Sequence, residues 1–127
     1  MPKKRIFVVD DSSSVRSMVR QLFESETNCE IVGEAENGRD AVAKAAFAKP
    51  DLIVLDLNMP VMGGLDAAPF LRKVLPDTRL ILFTVSQGQE VEQQALAAGI
   101  QTVVSKYNAA SELVPRAQAL LTAQGQG

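Results

Sequence analysis

The sequence predicts a doubly wound α/β sandwich, a five-stranded parallel sheet of order 2-1-3-4-5 with helices on both faces. Two observations predict it. Five short runs of mostly β-branched or aromatic residues, IFVV (6–9), IVG (31–33), LIVL (52–55), LILF (80–83) and TVV (102–104), scarcely alternate with polar residues. That pattern suits strands covered on both sides. The segments between them carry apolar residues at helical period, and parallel neighbours need the long crossovers that helices supply.

Each crossover has its own signature. After the first strand, Val15, Met18, Val19, Leu22 and Phe23 share one helical face. Ala41, Val42, Ala45 and Ala46 repeat the pattern after the turn Asn37-Gly38. The third helix follows Gly63-Gly64 and contains Pro69, which lacks an N–H and predicts that the helix begins near Ala67 or Ala68. Val91, Ala95 and Ala98 make a weaker stripe of small residues. Leu113, Val114, Ala117, Leu120 and Leu121 form the last helix, with Pro115 in or near its first turn. The polar ending TAQGQG reads as a frayed terminus or the start of a linker.

At 127 residues and 46% apolar content the chain makes one domain with a core of its own. A net charge of −2, with both signs dispersed, offers no basic stripe for nucleic acid and no polybasic membrane anchor. No apolar run approaches the roughly 20 residues of a membrane span, and the start MPKKRIFVVDD lacks the apolar region of a secretory signal. The expected location is the cytoplasm. The lone cysteine, Cys29, is expected to be a buried strand residue. With no histidine, the chain cannot carry a phosphohistidine, and its chemistry must run on carboxylates, hydroxyls and amines.

Ligands of open α/β sheets bind beyond the carboxyl ends of the strands, where the winding reverses. In the order 2-1-3-4-5 that point lies between strands one and three, which end on Asp10-Asp11 and Asp56. Taken alone, the acid pair followed by Ser12–Ser14 suits a helix N-terminus. Together with Asp56 it becomes a trio whose mutual repulsion, about a few kcal/mol at an effective dielectric near 20, calls for a cation or a proton. Mg2+ is the economical answer, because it prefers oxygen ligands and accepts one or two carboxylates. Strands four and five end on Thr84, a hydroxyl donor, and on Ser105-Lys106, an ammonium able to offset charge on a phosphoryl group. Asp56, alone at the end of the central strand, is the best nucleophile.

VDDS after the first strand, LDLNMPVMGG around Asp56, a threonine ending strand four and SK ending strand five together resemble a response regulator receiver domain, over nearly the whole chain. The resemblance implies a flavodoxin-like fold, with the receiver in residues 1–122 and a flexible tail or linker stump in 123–127. It implies that Asp56 accepts a phosphoryl group from a sensor histidine kinase. Asp11 and Asp56 would ligate Mg2+ directly, Asp10 chiefly through water, and the backbone carbonyl of Asn58 would complete the site. Thr84 and Lys106 would bind the phosphoryl oxygens and pass the signal to the face of helix four, strand five and helix five. A downstream effector or an output domain on another segment would dock there. The domain would assist its own phosphorylation and dephosphorylation without being an enzyme in its own right.

The sequence departs from the family pattern at three places. Val103 stands where an aromatic residue usually turns inward. Tyr107 replaces the proline that often follows the lysine, so the Lys106-Tyr107 bond is expected to be trans. Val85 is bulkier than the small residue common after the threonine and would narrow access to an acyl phosphate. Val103 and Tyr107 favour an alternative, a receiver-like interaction module without phosphorylation-driven switching. A small flavin- or nucleotide-binding protein is a further alternative, disfavoured by a first loop, DDSSS, without phosphate-cradling glycines.

Overall fold

The computed structural model describes residues 2–26, 28–86 and 88–124. Strands and helices alternate as β1 (Lys4–Val9), α1 (Ser13–Glu24), β2 (Cys29–Ala35), α2 (Gly38–Ala48), β3 (Leu52–Leu55), α3 (Gly64–Val74), β4 (Arg79–Thr84), α4 (Gln89–Ala97), β5 (Thr102–Ser105) and α5 (Val114–Gln124). The strands form one parallel sheet of order β2-β1-β3-β4-β5. Both sheet faces are covered, which is why β3 is apolar at every position and β1 and β4 are apolar over Ile6–Val9 and Leu80–Phe83. Period two divides each strand between two cores. Ile6, Val8, Leu52, Val54, Ile81 and Phe83 meet Val19 and Phe23 of α1 and Ala117 and Leu121 of α5. Phe7, Val9, Ile53, Leu55, Leu80 and Leu82 meet Ala41, Ala45, Ala67, Ala68, Leu71 and Ala95 of α2, α3 and α4. Alanine dominates this second side, so those helices lie close to the sheet.

Local chemistry sets the helix ends. Ser12 Oγ accepts from Val15 N at 3.2 Å and starts α1, and Asn37 Oδ1 accepts from Asp40 N at 2.9 Å and starts α2. A bulge between β1 and β2 sets Phe7 opposite Gly33, where a Cβ would stand 2.5 Å from the Phe7 ring. Cys29 opens β2 and is buried. Pro115 sits in the first turn of α5, after a 3-10 turn (Lys106–Asn108) and a wide π-type turn (Ala109–Leu113).

The third helix corrects the sequence expectation. It begins at Gly64 and carries Pro69 inside it rather than starting at Ala67 or Ala68. Its first turn is anchored from outside by Gly64 N, which donates to Leu57 O at 3.0 Å, and the helical ladder starts at once, Ala67 N donating to the Gly63 carbonyl at 3.0 Å. The bond to Leu57 holds the N-terminal turn against the end of β3, and the one bond that Pro69 forfeits does not undo it. The described residues contain no cis peptide bond, as expected at Lys106-Tyr107. No described helix is long and apolar enough to cross a membrane. Of the tail expected at 123–127, residues 125–127 lie outside the described residues.

Candidate functional site

Beyond the carboxyl ends of the strands the backbone ladder continues for one more residue. Asp10 N donates to Ala35 O at 3.1 Å and Asp56 N to Val9 O at 3.0 Å. These bonds seat the two aspartates side by side on top of β1 and β3. Asp10 is 2% exposed and Asp56 6%, while Asp11 faces solvent. One carboxylate oxygen from each of Asp10, Asp11 and Asp56 lies within 4.8 Å of the other two. The sequence-predicted trio therefore comes together, with two members desolvated and one open to an arriving ion.

Lys106 enters from the end of β5. Its Nζ lies 2.7 Å from Asp10 Oδ2 and 3.3 Å from Asp56 Oδ1, and 5.9 Å from the centroid of the Phe83 ring. The shorter contact goes to Asp10, not to the nucleophile candidate. Asp10 Oδ1 accepts from Ser12 N at 2.9 Å. Oδ2 is fully buried without an aligned hydrogen bond, so the lysine charge is what compensates it. Burial lifts the Asp56 pKa above the ordinary value, the Asp10 charge adds to the rise, and Lys106 only partly reverses it. Burial pulls Lys106 down, but its bonds and charges to Asp10 and Asp56 raise it on balance. One ammonium thus serves two buried carboxylates, and the cluster retains an excess of negative charge.

Thr84 ends β4, pairs in register with Ser105, and is 99% withdrawn from solvent, its hydroxyl oxygen accepting from Ser86 N at 3.2 Å. Asn58 lines an open cleft of about 440 Å³ beside the trio, together with Asp11, Leu57, Met59, Pro60, Gly63 and Asp66. The donor set is oxygen only, which suits a hard divalent cation.

Sequence reasoning missed three contributors. Gly63 and Gly64 are not only turn residues: a Cβ on Gly64 would lie 2.2 Å from the Asp56 carbonyl oxygen, and one on Gly63 2.5 Å from that of Leu57. The third is Arg16 on α1, whose Nη1 donates to the Asp10 carbonyl at 2.7 Å. Its place off the apolar stripe of α1 shows that it is not core, but nothing local names its acceptor.

On this doubly wound parallel sheet, a buried pair of strand-end carboxylates bridged by a lysine stands beside an open cleft with room for a cation. The family model of the response regulator receiver domain matches residues 6–118, and the chain belongs to that family of two-component signalling domains. The chain is 34% identical over 103 residues to chemotaxis protein CheY of Thermotoga maritima, covering 81% of this chain and 85% of that one. It is 38% identical over 108 residues to a protein-glutamate methylesterase/protein-glutamine glutaminase of Caldanaerobacter subterraneus, covering 84% of this chain but only 29% of that relative. The crystal structure of the response regulator domain of Thermotoga maritima CheB superposes with a TM-score of 0.88 at 29% identity, over 94% of this chain and 97% of that one.

Proposed function

We propose that this chain is a phosphorylation-dependent switch that accepts a phosphoryl group on Asp56 in a Mg2+-dependent reaction. The observation that carries the reading is the gathering of the Asp10, Asp11 and Asp56 carboxylates within 4.8 Å, with Lys106 against two of them. An oxygen of the Asp56 carboxylate forms a bond to phosphorus as the bond from phosphorus to the donor breaks, and the bonding electron pair leaves with the donor. These 127 residues contain no histidine, so a phosphohistidine donor lies outside them, which fits a sensor histidine kinase.

Asp10, Asp11 and Asp56, with the Asn58 carbonyl, are the residues that would hold Mg2+. The ion, when bound, supplies positive charge and an oriented position for one phosphoryl oxygen. In this reading the Lys106 ammonium offsets charge at a second oxygen, and the Thr84 hydroxyl donates to a third. Burial of Asp10 and Asp56 keeps bulk water from diluting these interactions. A phosphoryl group on Asp56 competes for Lys106, and displacement of that side chain perturbs the Ser105–Asn108 turn. The surface of α4, β5 and α5 next to it, where Leu96 and Tyr107 stand exposed, is the face through which an effector or output domain would respond. Val103 there has no ring to rotate, so the proposed signal runs through the lysine and the backbone. In this reading the domain occupies residues 1–122 and works in the cytoplasm.

The test is intact mass after incubation with Mg2+ and acetyl phosphate or phosphoramidate, beside Asp56→Asn and metal-free samples. One phosphoryl group that requires both Asp56 and Mg2+ is expected. Addition that survives Asp56→Asn sinks the assignment. No addition to the wild type with either donor favours the receiver-like binding module instead.

A further inference from the structure

We propose that Arg16 is a positioning residue for the acid pair, its guanidinium clamping the main chain of Asp10 to the carboxylate of Glu34 so that Asp10 and Asp11 are held ready for a divalent cation. The inference rests on the cation site proposed above and assigns it a residue that touches neither ion nor phosphoryl group.

Arg16 points out of α1 along the edge of the sheet and is nevertheless withdrawn, its side chain 14% exposed. Its fork is used on three sides. Nε donates to Glu34 Oε1 at 3.0 Å, Nη1 donates to the Asp10 carbonyl at 2.7 Å, and Nη2 lies 4.0 Å from Glu36 Oε1. Glu34 and Glu36 belong to β2 and the turn after it, so the arginine ties the sheet edge to the end of β1.

The consequence falls on Asp10. Its N–H is already taken by Ala35 O and its Oδ1 by Ser12 N. Its carbonyl lies beyond the last paired residue of β1, where the ladder supplies no donor. Arg16 closes that gap, and with both flanking peptide groups fixed, the side chain is left one direction, with Oδ2 toward Lys106. The same carbonyl belongs to the peptide that leads into Asp11, so the clamp also sets where the exposed carboxylate starts. Glu34 is a dependable anchor: its hydrogen bond from Arg20, with help from Arg16, holds its carboxyl below the ordinary range, so it stays charged at neutral pH. A lysine at position 16 would not reproduce the fork, because its compact ammonium lacks the separate, rigidly spaced donors with which Nε reaches Glu34 and Nη1 reaches the Asp10 carbonyl.

The fold contains its own control. Arg20, one helical turn on, also binds Glu34, with Nε 3.0 Å from Oε2, and it reaches Glu24 rather than Asp10. Removing either arginine breaks a Glu34 ion pair, but only one removal frees the Asp10 peptide.

The experiment is a Mg2+ titration of the full chain, wild type and the variants Arg16→Ala, Arg16→Lys and Arg20→Ala, followed by the amide signals of Asp11 and Tyr107, with thermal unfolding in parallel. Partners that orient metal ligands typically contribute about 10- to 100-fold to affinity, so Arg16→Ala is expected to raise the Kd for Mg2+ by about tenfold or more. Arg20→Ala is expected to stay within about twofold while losing comparable thermal stability. Wild-type affinity in Arg16→Ala, or equal weakening in Arg20→Ala, overturns the clamp. If Arg16→Ala does not fold, Arg16→Lys carries the test, with about threefold weakening expected and unchanged affinity overturning the proposal. A folded wild type that takes up no Mg2+ overturns the metal reading, and this inference with it, and is told apart from the other failures by the wild-type titration alone.

Discussion

Val61 invites a stabilising substitution beside the candidate site. It is a β-branched residue with φ of 69°, and Met62 N donates to Pro60 O at 2.7 Å, closing a three-residue γ-turn around it. That positive-φ form of the turn is the strained one. A β-branched residue at positive φ costs about 1–2 kcal/mol relative to one that tolerates it, and asparagine is among the residues enriched at positive φ. Against this stands the lost burial of a side chain that is 66% exposed. With about a third of a valine buried, that loss is about 0.5–1 kcal/mol. Val61→Asn is therefore expected to stabilise the fold by about 1 kcal/mol. For a chain of 127 residues, an unfolding entropy of about 2.1 cal/mol/K per residue converts this to a rise in Tm of about 4 °C. Differential scanning calorimetry, with urea unfolding at 25 °C as a second reading, measures both. Val85→Asn is the control, because Val85 is similarly exposed at 52% and does not have a positive φ. An unchanged or lower Tm for Val61→Asn, or an equal rise for Val85→Asn, would refute the assignment of strain to this turn.

Three further outcomes follow from the site. In metal-free buffer Asp56→Asn should be more stable than wild type at neutral pH, because burial and Asp10 raise the folded pKa of Asp56 above its ordinary 3.8. The folded state then holds the proton more tightly than the unfolded chain, so wild-type stability is lost as pH rises through the raised value; unfolding curves of the two proteins that stay parallel from pH 4 to 8 would count against it. Lys106→Met leaves Asp10 and Asp56 facing each other without a cation and should destabilise the metal-free protein by about 3 kcal/mol, with millimolar Mg2+ recovering part of the loss in urea titrations; equal midpoints with and without Lys106 would exclude a compensating role. Gly64→Ala forces a methyl to 2.2 Å from the Asp56 carbonyl oxygen, so a loss of about 2–3 kcal/mol is expected, together with shifted Asp56 amide signals, and a variant as stable as wild type would show that the α3 turn yields easily.

The parts of the site that could be read in the sequence are those fixed by position along a strand. Asp10, Asp11, Asp56, Thr84 and Lys106 each lie within two residues of the end of an apolar run, and parallel strands bring such positions to one edge of the sheet. The start of α3 could not be read this way. Helix propensity and Pro69 argue for a late beginning, and the opposing contribution comes from Leu57 O and the Asp56 carbonyl, against which only glycine backbone fits.

What the sequence determined by itself is the order of elements, the double covering of the sheet and the residues at the strand ends, because period and strand-end position are local properties of a chain. What the tertiary structure decided is how charge is shared among those residues: Lys106 nearer to Asp10 than to Asp56, Arg16 on the Asp10 peptide, Val61 held in a strained turn at the rim of the cleft. Lys106 stands 96 residues along the chain from Asp10 and 50 from Asp56. The difference of 0.6 Å between its distances to the two partners, 3.3 against 2.7 Å, arises from how helices and strands pack on one another, which no local pattern encodes.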